Sequence, residues 1–386
     1  MTGLLSGVRV LELSRILAGP WAGQVLADMG ATVIKVENPN GGDDTRTWGP
    51  PFVTDADGNP VGDMSAYFLC ANRGKQSVRI DFTQPEGQDL VRKLAASCDV
   101  VIENFKVGGL KKYGLDYHSL KAVNPSLVYA SITGFGQDGP YAHRAGYDFM
   151  IQGLGGLMSL TGQPDGEPVK VGVALTDVLT GLYTAIGVLG ALHHARATGQ
   201  SHYVDVALLD VQVATLANQA LNYLVAGKAP KRLGNSHPNI VPYQAFPTAN
   251  GHIILAVGND GQFARFCAVA GHGEWAEDER FATNPARVAH RRELVPMVAA
   301  ALSARSSQDW LAALEDVGVP AGPINDIAQV FADPQVVSRG LKMDKHLADG
   351  TILPGVGSPI VVDGKRMVAE AAPPRLGSSD DLLSGL

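Results

Sequence analysis

The sequence predicts an α/β protein: a large doubly wound domain on a parallel sheet, joined to a smaller helix-rich domain. Apolar strands alternate with helical stretches at a regular pitch over the first 210 or so residues. A segment rich in Gly, Pro, Asn and basic residues, "GKAPKRLGNSHPNIVPYQ", interrupts that alternation. Helices dominate from Gln262 to Val317, and strand and turn character returns from "DPQVVSRG" onward. The boundaries expected are 1–224 for the first part of the large domain, 225–325 for the small domain with its linker, and 326–386 for the C-terminal segment.

Each element follows from local pattern. "GVRVLELS" alternates apolar and polar residues as a strand does, "GPWAGQVLADMGA" gives a short helix, and "TVIKVE" a second strand. "SVRIDF" is a third strand, followed by a helix opened by Pro85. "DVVIENF" is a fourth and "LVYASITGFG" a fifth. An apolar helix begins near Asp177 and ends near "RATGQ", with Gly199 placed to close it. "SHYVDVAL" is a further strand and "LDVQVATLANQALNYLVAG" one helix. "AFPTANGHIILAVGN" is a hairpin with Asn250–Gly251 as its turn signal.

Composition excludes several classes. With 45% hydrophobic residues, 18% charged residues and a formal charge of −7 over 386 residues, the chain suits a soluble enzyme and lacks the basic balance of a general nucleic-acid binder. Cys70, Cys98 and Cys267 are far apart, which disfavours both a disulfide framework and a zinc site. "MTGLLSGVRV" is not patterned as a signal peptide, and the uncharged run Val178 to Leu192 is shorter than the roughly 20 residues of a membrane span. The expectation is a cytoplasmic protein with no membrane or nucleic-acid partner and no metal. No P-loop, G-x-S-x-G or H-E-x-x-H pattern occurs, and no G-x-G-x-x-G follows the first strand.

Separated signals remain. Arg15 follows the first strand, where α/β proteins bind ligands. Arg73, Lys75 and Arg79 lie together in "NRGKQSVRIDF", and Lys106, Lys111 and Lys112 follow the fourth strand. They could hold a phosphorylated ligand, or be ordinary surface charges. Gly258 and Gly261 in "AVGNDGQF" suit a loop that offers backbone amides to an anion, and equally suit a plain turn. Asp177 opens "TDVLTGLYTAIGVLGAL" as a lone carboxylate; it is either a helix cap or a functional group, and the two are compatible.

Jointly, "LAGPWAGQVLADMGATVIKVE", "GGDDTR", "NRGKQS", "DVVIENF", "ITGFGQDGPYAHRAGYDFMIQGLGGLMSLTG", "VALTDVLTGLYTAIGVLGAL" and "GVPAGPINDIAQVFADPQV" resemble the family III CoA-transferases over almost the whole chain. That group includes formyl-CoA and carnitine CoA-transferases and, as a divergent branch, α-methylacyl-CoA racemase. The resemblance implies an inserted α+β small domain, a C-terminal segment completing the large domain, and two chains interlocked as a dimer. It implies Asp177 as nucleophile, and a CoA site from Arg15, Ile16, Leu17 and Ala18, with Ile80, Asn104, Phe105, Lys106, Lys112, Ala145 and Asp148. Coenzyme A and acyl-CoA enter as substrates, with no tightly bound cofactor. Gly258 and Gly261 correspond to a glycine loop that shields the intermediates and stabilises an oxyanion. Asn38 departs from the formyl-CoA members, which carry an arginine there; Arg46 or Arg73 is expected to substitute, and Arg73 and Lys75 are counted with the CoA site.

The chemistry so implied is attack of Asp177 on an acyl-CoA, giving aspartyl anhydride and aspartyl-CoA thioester intermediates and moving CoA to a carboxylic acid, with no ATP. The racemase branch is the alternative. Its members carry "AGHD" where this chain has "AGYD", and Tyr147, a poor base at neutral pH, is assigned to positioning. "KRLGNSHPNIVPYQAF" is similar to members that act on dicarboxylates with succinyl-CoA as donor, so Lys231, Arg232 and His237 are candidates for a second carboxylate, or solvated loop charges.

Overall fold

The structure is a computed structural model and describes residues 3–55, 57–347 and 349–386; Met1 and Thr2, at the start of the expected large domain, lie outside it. The chain divides into two compact units. The large one holds residues up to Leu157, Lys170–Val225 and Pro334–Leu386; the small one holds Met158–Val169 and Ala226–Asp333. The small unit therefore takes in a segment before Asp177 and ends later than the expected 325.

In chain order the large unit begins β1 (Arg9–Glu12), α1 (Ala18–Asp28), β2 (Thr32–Glu37), a hairpin of β3 (Phe52–Thr54) and β4 (Pro60–Ser65), and the short α2 (Ala66–Leu69). It continues β5 (Lys75–Arg79), α3 (Pro85–Ala96), β6 (Val100–Glu103), α4 (Tyr117–Val123), β7 (Val128–Thr133), α5 (Asp148–Leu154), α6 (Leu175–Thr198), β8 (His202–Ala207), α7 (Leu208–Ala214) and α8 (Ala217–Ala226). The small unit carries β9 (Tyr243–Thr248), β10 (Gly251–Ala256), α9 (Asp260–Ala270), α10 (Asn284–Ala289), α11 (Arg291–Leu302), α12 (Ser307–Asp316), β11 (Ala321–Pro323) and α13 (Ile327–Ala332). The return to the large unit is α14 (Pro334–Ser338), the hairpin β12 (Lys342–His346) and β13 (Ile352–Val356), and the small ladder β14 (Val361–Val362) and β15 (Lys365–Arg366).

The central sheet is parallel throughout, in the order β5-β2-β1-β6-β7-β8. Because strand side chains alternate, one face presents Val10, Val33, Val100, Ile102, Val128 and Ala130 to α1 and α6. The other presents Leu11, Ile34, Val78, Val101 and Tyr129 to α3 and α4. Covering both faces of a parallel sheet makes the predicted doubly wound domain. Helix α6, long enough at 24 residues to cross a bilayer, instead sets Val188, Leu192 and Ala195 into the first of these cores. Gly181 lets it approach α1: a Cβ there would lie 2.7 Å from the Ala18 carbonyl oxygen and 2.9 Å from Trp21 Cβ.

One expected helix is two. The chain breaks between α7 and α8, where Ala217 takes φ +47°. The small unit is an antiparallel sheet in the order β11-β10-β9, with the predicted hairpin formed between β9 and β10 and its turn at Ala249–Asn250. Phe246, Ile253, Phe266, Leu294 and Trp310 lead its own core.

Buried ion pairs fasten the C-terminal segment. Arg46 donates to Glu37 and Asp63 (2.7 Å each) and to the Pro374 carbonyl (3.1 Å). Arg73 pairs with Asp28 (2.6 Å) and donates to the Val356 carbonyl (2.9 Å), while the Ala369 amide donates to Asp28. Residues from Pro334 on thus belong to the large unit, eight residues later than the expected start at 326.

Candidate active site

The sheet order reverses direction between β1 and β6, and a crevice outside the carboxyl ends of strands at such a point is where open α/β sheets bind ligands. Here the loops after the two strands clasp each other: the Arg15 amide donates to Asn104 Oδ1 (3.0 Å), and Asn104 Nδ2 donates to the Arg15 carbonyl (2.7 Å). Ile16, next in the chain, takes φ +74°, a conformation costly for a β-branched side chain. Asp43 holds it there by accepting the Ile16 amide (3.2 Å), and Lys35 in turn pairs with Asp43 (2.9 Å). Burial opposes both charges, but the ion pair wins: the Asp43 carboxyl is drawn down to about 2.

Beside this clasp lies a cleft of about 260 Å³ lined by Arg15, Asn38, Ile80, Phe82 and Phe105 among others. Phe82 meets Phe105 and Tyr113 edge to face at 5.7 and 5.8 Å, and Lys112 Nζ sits 4.6 Å from the centre of the Tyr113 ring. Arg15 is exposed and paired with Asp44 (2.7 Å). Leu17 and Ala18 are buried at the start of α1. Lys106 is exposed and lines a neighbouring cavity over Glu103 and Tyr203. The cleft thus gathers Arg15, Ile80 and Phe105, with Asn104 and Lys112 at its edges.

Three basic candidates are not there. Lys75 is buried against Glu12 (2.8 Å), with the Pro20 carbonyl and Asn72 taking its remaining protons. Arg73 and Arg46 are the buried ties of the C-terminal segment described above. Neither replaces an arginine at Asn38, because a guanidinium locked in a buried pair cannot reach solvent. Spacing in "NRGKQS" shows adjacency and says nothing about burial.

The second half of the site is built on α5 and α6. The segment Ala145–Asp148 is brought to the end of β7 by a crossing of two glycines, where a Cβ on Gly134 would lie 2.5 Å from Gly146 Cα. Tyr147 is exposed, at 63%, and stands at the N-cap position just before α5. Asp148 reaches across to α6: its Oδ1 accepts the amides of Thr176 (2.8 Å) and Asp177 (3.3 Å), and its Oδ2 accepts Gln152 Nε2 (2.7 Å). So Asp177 is not the cap. It occupies the third position of α6, and Asp148 satisfies the amides that a cap would.

The Asp177 carboxylate is partly buried and, among the described residues, accepts no hydrogen bond from the protein. Burial, and then the Asp148 charge, push it up to about 7. Tyr67 feels the same centre. Its phenol is pushed up to about 12 by burial and then by Asp177, with Cys70 and Asp148 adding to the effect, and its ring meets Trp48 edge to face at 5.3 Å. Sequence reading missed Tyr67 and Trp48, because they come from a hairpin region with no strand–helix alternation to flag it.

In the small unit, Asn259 caps α9 by accepting the Gln262 amide (2.9 Å), and Gly258 donates its amide to Gln262 Oε1 (2.7 Å). The Gly258 amide is therefore already engaged, which corrects its expected oxyanion role in this conformation; Gly261 lies in the first turn of α9. Arg232 clasps the Gln163 and Gly166 carbonyls (3.1 and 2.7 Å), and so stabilises a turn. Lys231 is exposed, and His237 lines a separate cavity with Arg291 and Arg292.

Comparison with known proteins gives the family. CoA-transferase family III matches residues 5–380. Succinate–glutarate CoA-transferase of Agrobacterium fabrum is 57% identical over 373 residues, spanning 97% of this chain and 93% of its own length. Human succinyl-CoA:glutarate CoA-transferase is 43% identical over 373 residues, 96% of this chain and 83% of its own. A CAIB/BAIF family protein from Brucella suis, solved as a crystal structure, is 53% identical, covers 100% of this chain and 99% of its own, and superposes with a TM-score of 0.87.

Proposed function

The chain belongs to CoA-transferase family III and is a CoA-transferase; from that premise we propose that it moves CoA between succinate and glutarate through covalent intermediates on Asp177. The observation that carries the assignment of Asp177 is its setting. It is a carboxylate in the first turn of a long helix, without a hydrogen bond among the described residues and raised in pKa by burial, with its backbone held from outside by Asp148.

The steps follow from that setting. A carboxylate without hydrogen bonds keeps its lone pairs for attack, and partial burial strengthens it as a nucleophile. An Asp177 oxygen bonds to the thioester carbonyl of succinyl-CoA and CoA thiolate leaves, forming a mixed anhydride. The thiolate then attacks the aspartyl carbonyl, releasing succinate and leaving Asp177 as a CoA thioester. Glutarate attacks that thioester, expelling thiolate and forming a second anhydride, and thiolate attacks the glutaryl carbonyl to give glutaryl-CoA and free Asp177. One thioester replaces another, so no nucleotide is consumed. CoA occupies the cleft at the β1–β6 switch point in this reading, with Arg15, Ile80 and Phe105 against it.

Racemisation is disfavoured by Tyr147, which stands where the racemase branch has its histidine and is a poor proton acceptor near pH 7. Association into a homodimer is part of the proposal. The large unit leaves Leu182, Tyr183 and Ile186 of α6, and Leu221, Tyr223, Leu224 and Val225 of α8, exposed to solvent. Light scattering on the purified chain should give twice the chain mass.

The function is tested with a matrix of acyl-CoA donors and carboxylic acceptors followed by mass spectrometry. Turnover should be fastest with succinyl-CoA and glutarate, and Asp177→Ala should abolish it while CoA binding survives. Equal turnover with monocarboxylates would refute the substrate assignment. Exchange of the α-hydrogen with deuterated water, without CoA transfer, would favour racemisation instead.

A further inference from the structure

Among the described residues, Ile16, Ala217 and Asp363 are the non-glycine residues with positive φ, and Ile16, at +74°, is the β-branched one. A β-branched side chain resists this conformation, and such strain persists only where the surroundings over-determine it. The strained residue lies in the turn from β1 into α1. Leu13, Ser14 and Arg15, just before it, form one wall of the cleft of about 260 Å³.

Three successive residues of that turn are gripped by side chains from elsewhere in the large unit. Lys35 Nζ meets the Ser14 carbonyl (2.8 Å), Glu12 (3.0 Å) and Asp43 (2.9 Å), which occupies all its protons. Asn104 exchanges two hydrogen bonds with the Arg15 backbone. Both oxygens of Asp43 accept the Ile16 amide, at 3.2 Å each. Asp43 is itself fixed: its Oδ1 accepts the Thr45 amide (3.0 Å) and hydroxyl (2.8 Å), its own amide donates to Glu37 (2.9 Å), and its side chain is buried. Leu17, at the N-cap of α1, has no polar group to direct the start of the helix, so the clamp sets that direction.

We propose that Asp43 is a positioning residue for CoA transfer, holding Ile16 in its strained conformation so that the β1–α1 turn keeps the shape that receives the CoA portion of both thioesters. Lys35 supports it by cancelling a charge that would repel an anionic ligand. The inference rests on the CoA reading of the cleft and gives Asp43 no chemical step. It carries a signature. Released from Asp43, Ile16 relaxes to negative φ and the turn moves, whereas a glycine there has no such preference. The effect of Asp43 therefore depends on which residue occupies position 16.

The test is a double-mutant cycle on the full-length protein, with CoA affinity read by calorimetry, turnover by steady-state kinetics and folding by circular dichroism. Asp43→Asn turns one accepting oxygen into a donor that faces the Ile16 amide and Lys35. It should weaken CoA binding by roughly tenfold, the scale of one strained residue, and raise the KM for succinyl-CoA and glutaryl-CoA alike. The kcat should stay within about twofold, because the interaction lost is common to ground and transition states. In Ile16→Gly the same substitution should cost less than about threefold, and the cycle cancels whatever contact the Ile16 side chain itself makes. Ile16→Asn, which tolerates positive φ, should rescue in the same way. If Asp43→Asn does not fold, Asn104→Ala loosens the turn from its other side and should show the same dependence on residue 16. Equal losses with and without Ile16→Gly, a fall in kcat with CoA affinity intact, or a wild-type protein that binds no CoA would each overturn the inference. A wild-type protein that binds CoA but does not move it between succinate and glutarate would sink the proposed function, while the titrations would still decide the clamp.

Discussion

Asp148 Oδ1 accepts the backbone amides of both Thr176 and Asp177, at 2.8 and 3.3 Å. One carboxylate therefore fixes the helix end that carries another. It also raises the proton affinity of its neighbour by like-charge repulsion, second to the effect of burial. Positioning and tuning of Asp177 are the same contact seen from two sides.

The first prediction concerns rate and pH. Only ionised Asp177 attacks, and its carboxyl lies at about 7, so kcat/KM for the donor should rise through that pH and level off above it. Asp148→Asn removes the repelling charge but keeps an oxygen able to accept the two amides, so the rise should move to lower pH with the plateau largely kept. Glu103, also pushed up to about 7 by burial, is the control, and Glu103→Gln should leave the position of the rise unchanged. A profile that does not move in Asp148→Asn would separate Asp148 from the tuning of Asp177.

Stability should show the opposite face of this shift. In the unfolded chain Asp177 titrates near 3.8, and in the folded chain at about 7. The raised value means that its neutral form stabilises the fold fully below pH 3.8, and that this contribution is lost as pH rises to about 7. Asp177→Asn keeps the shape without the charge. Its Tm should equal that of the parent near pH 4 and exceed it increasingly toward pH 8.

Gly181 sets the approach of α6 to α1. Gly181→Ala places a methyl 2.7 Å from the Ala18 carbonyl oxygen, and overpacking of this kind costs roughly 1–3 kcal/mol. Urea unfolding should show that loss. Turnover should fall with it, because the same helix carries Asp177 one turn earlier.

Lys75 tests the reassignment of a residue first placed with CoA. Among the described residues its ion pair is to buried Glu12, so Lys75→Met should cost roughly 3–5 kcal/mol by leaving a buried charge undercompensated. CoA affinity of the folded fraction should be unchanged. A CoA affinity that dropped while stability held would return Lys75 to the binding site.

The sheet was legible in the sequence because burial on both faces imposes long apolar strands between helices, and all six strands of the central sheet fall where the alternation places them. The break between α7 and α8 was not, since "VATLANQ" contains neither glycine nor proline to mark it. Among candidate site residues, Asp177 and the loops at Arg15 and Asn104 were singled out through the family pattern. The cap on α6 was hidden because Asp148 is 29 residues from Asp177, beyond any local capping rule. Arg46, Arg73 and Lys75 were misplaced for a related reason: a basic residue at a strand end is the same letter whether it faces a ligand or a buried carboxylate.

The central claim is that Asp177 carries the transferred group. It is tested most directly by quenching the enzyme during turnover with succinyl-CoA, digesting it, and measuring the mass of the peptide that contains Asp177, with and without hydroxylamine. The account predicts a CoA thioester on that peptide, converted by hydroxylamine to the aspartyl hydroxamate and missing in Asp177→Asn. An unmodified Asp177 peptide from an enzyme that is turning over, or a CoA adduct on a different residue, would contradict it.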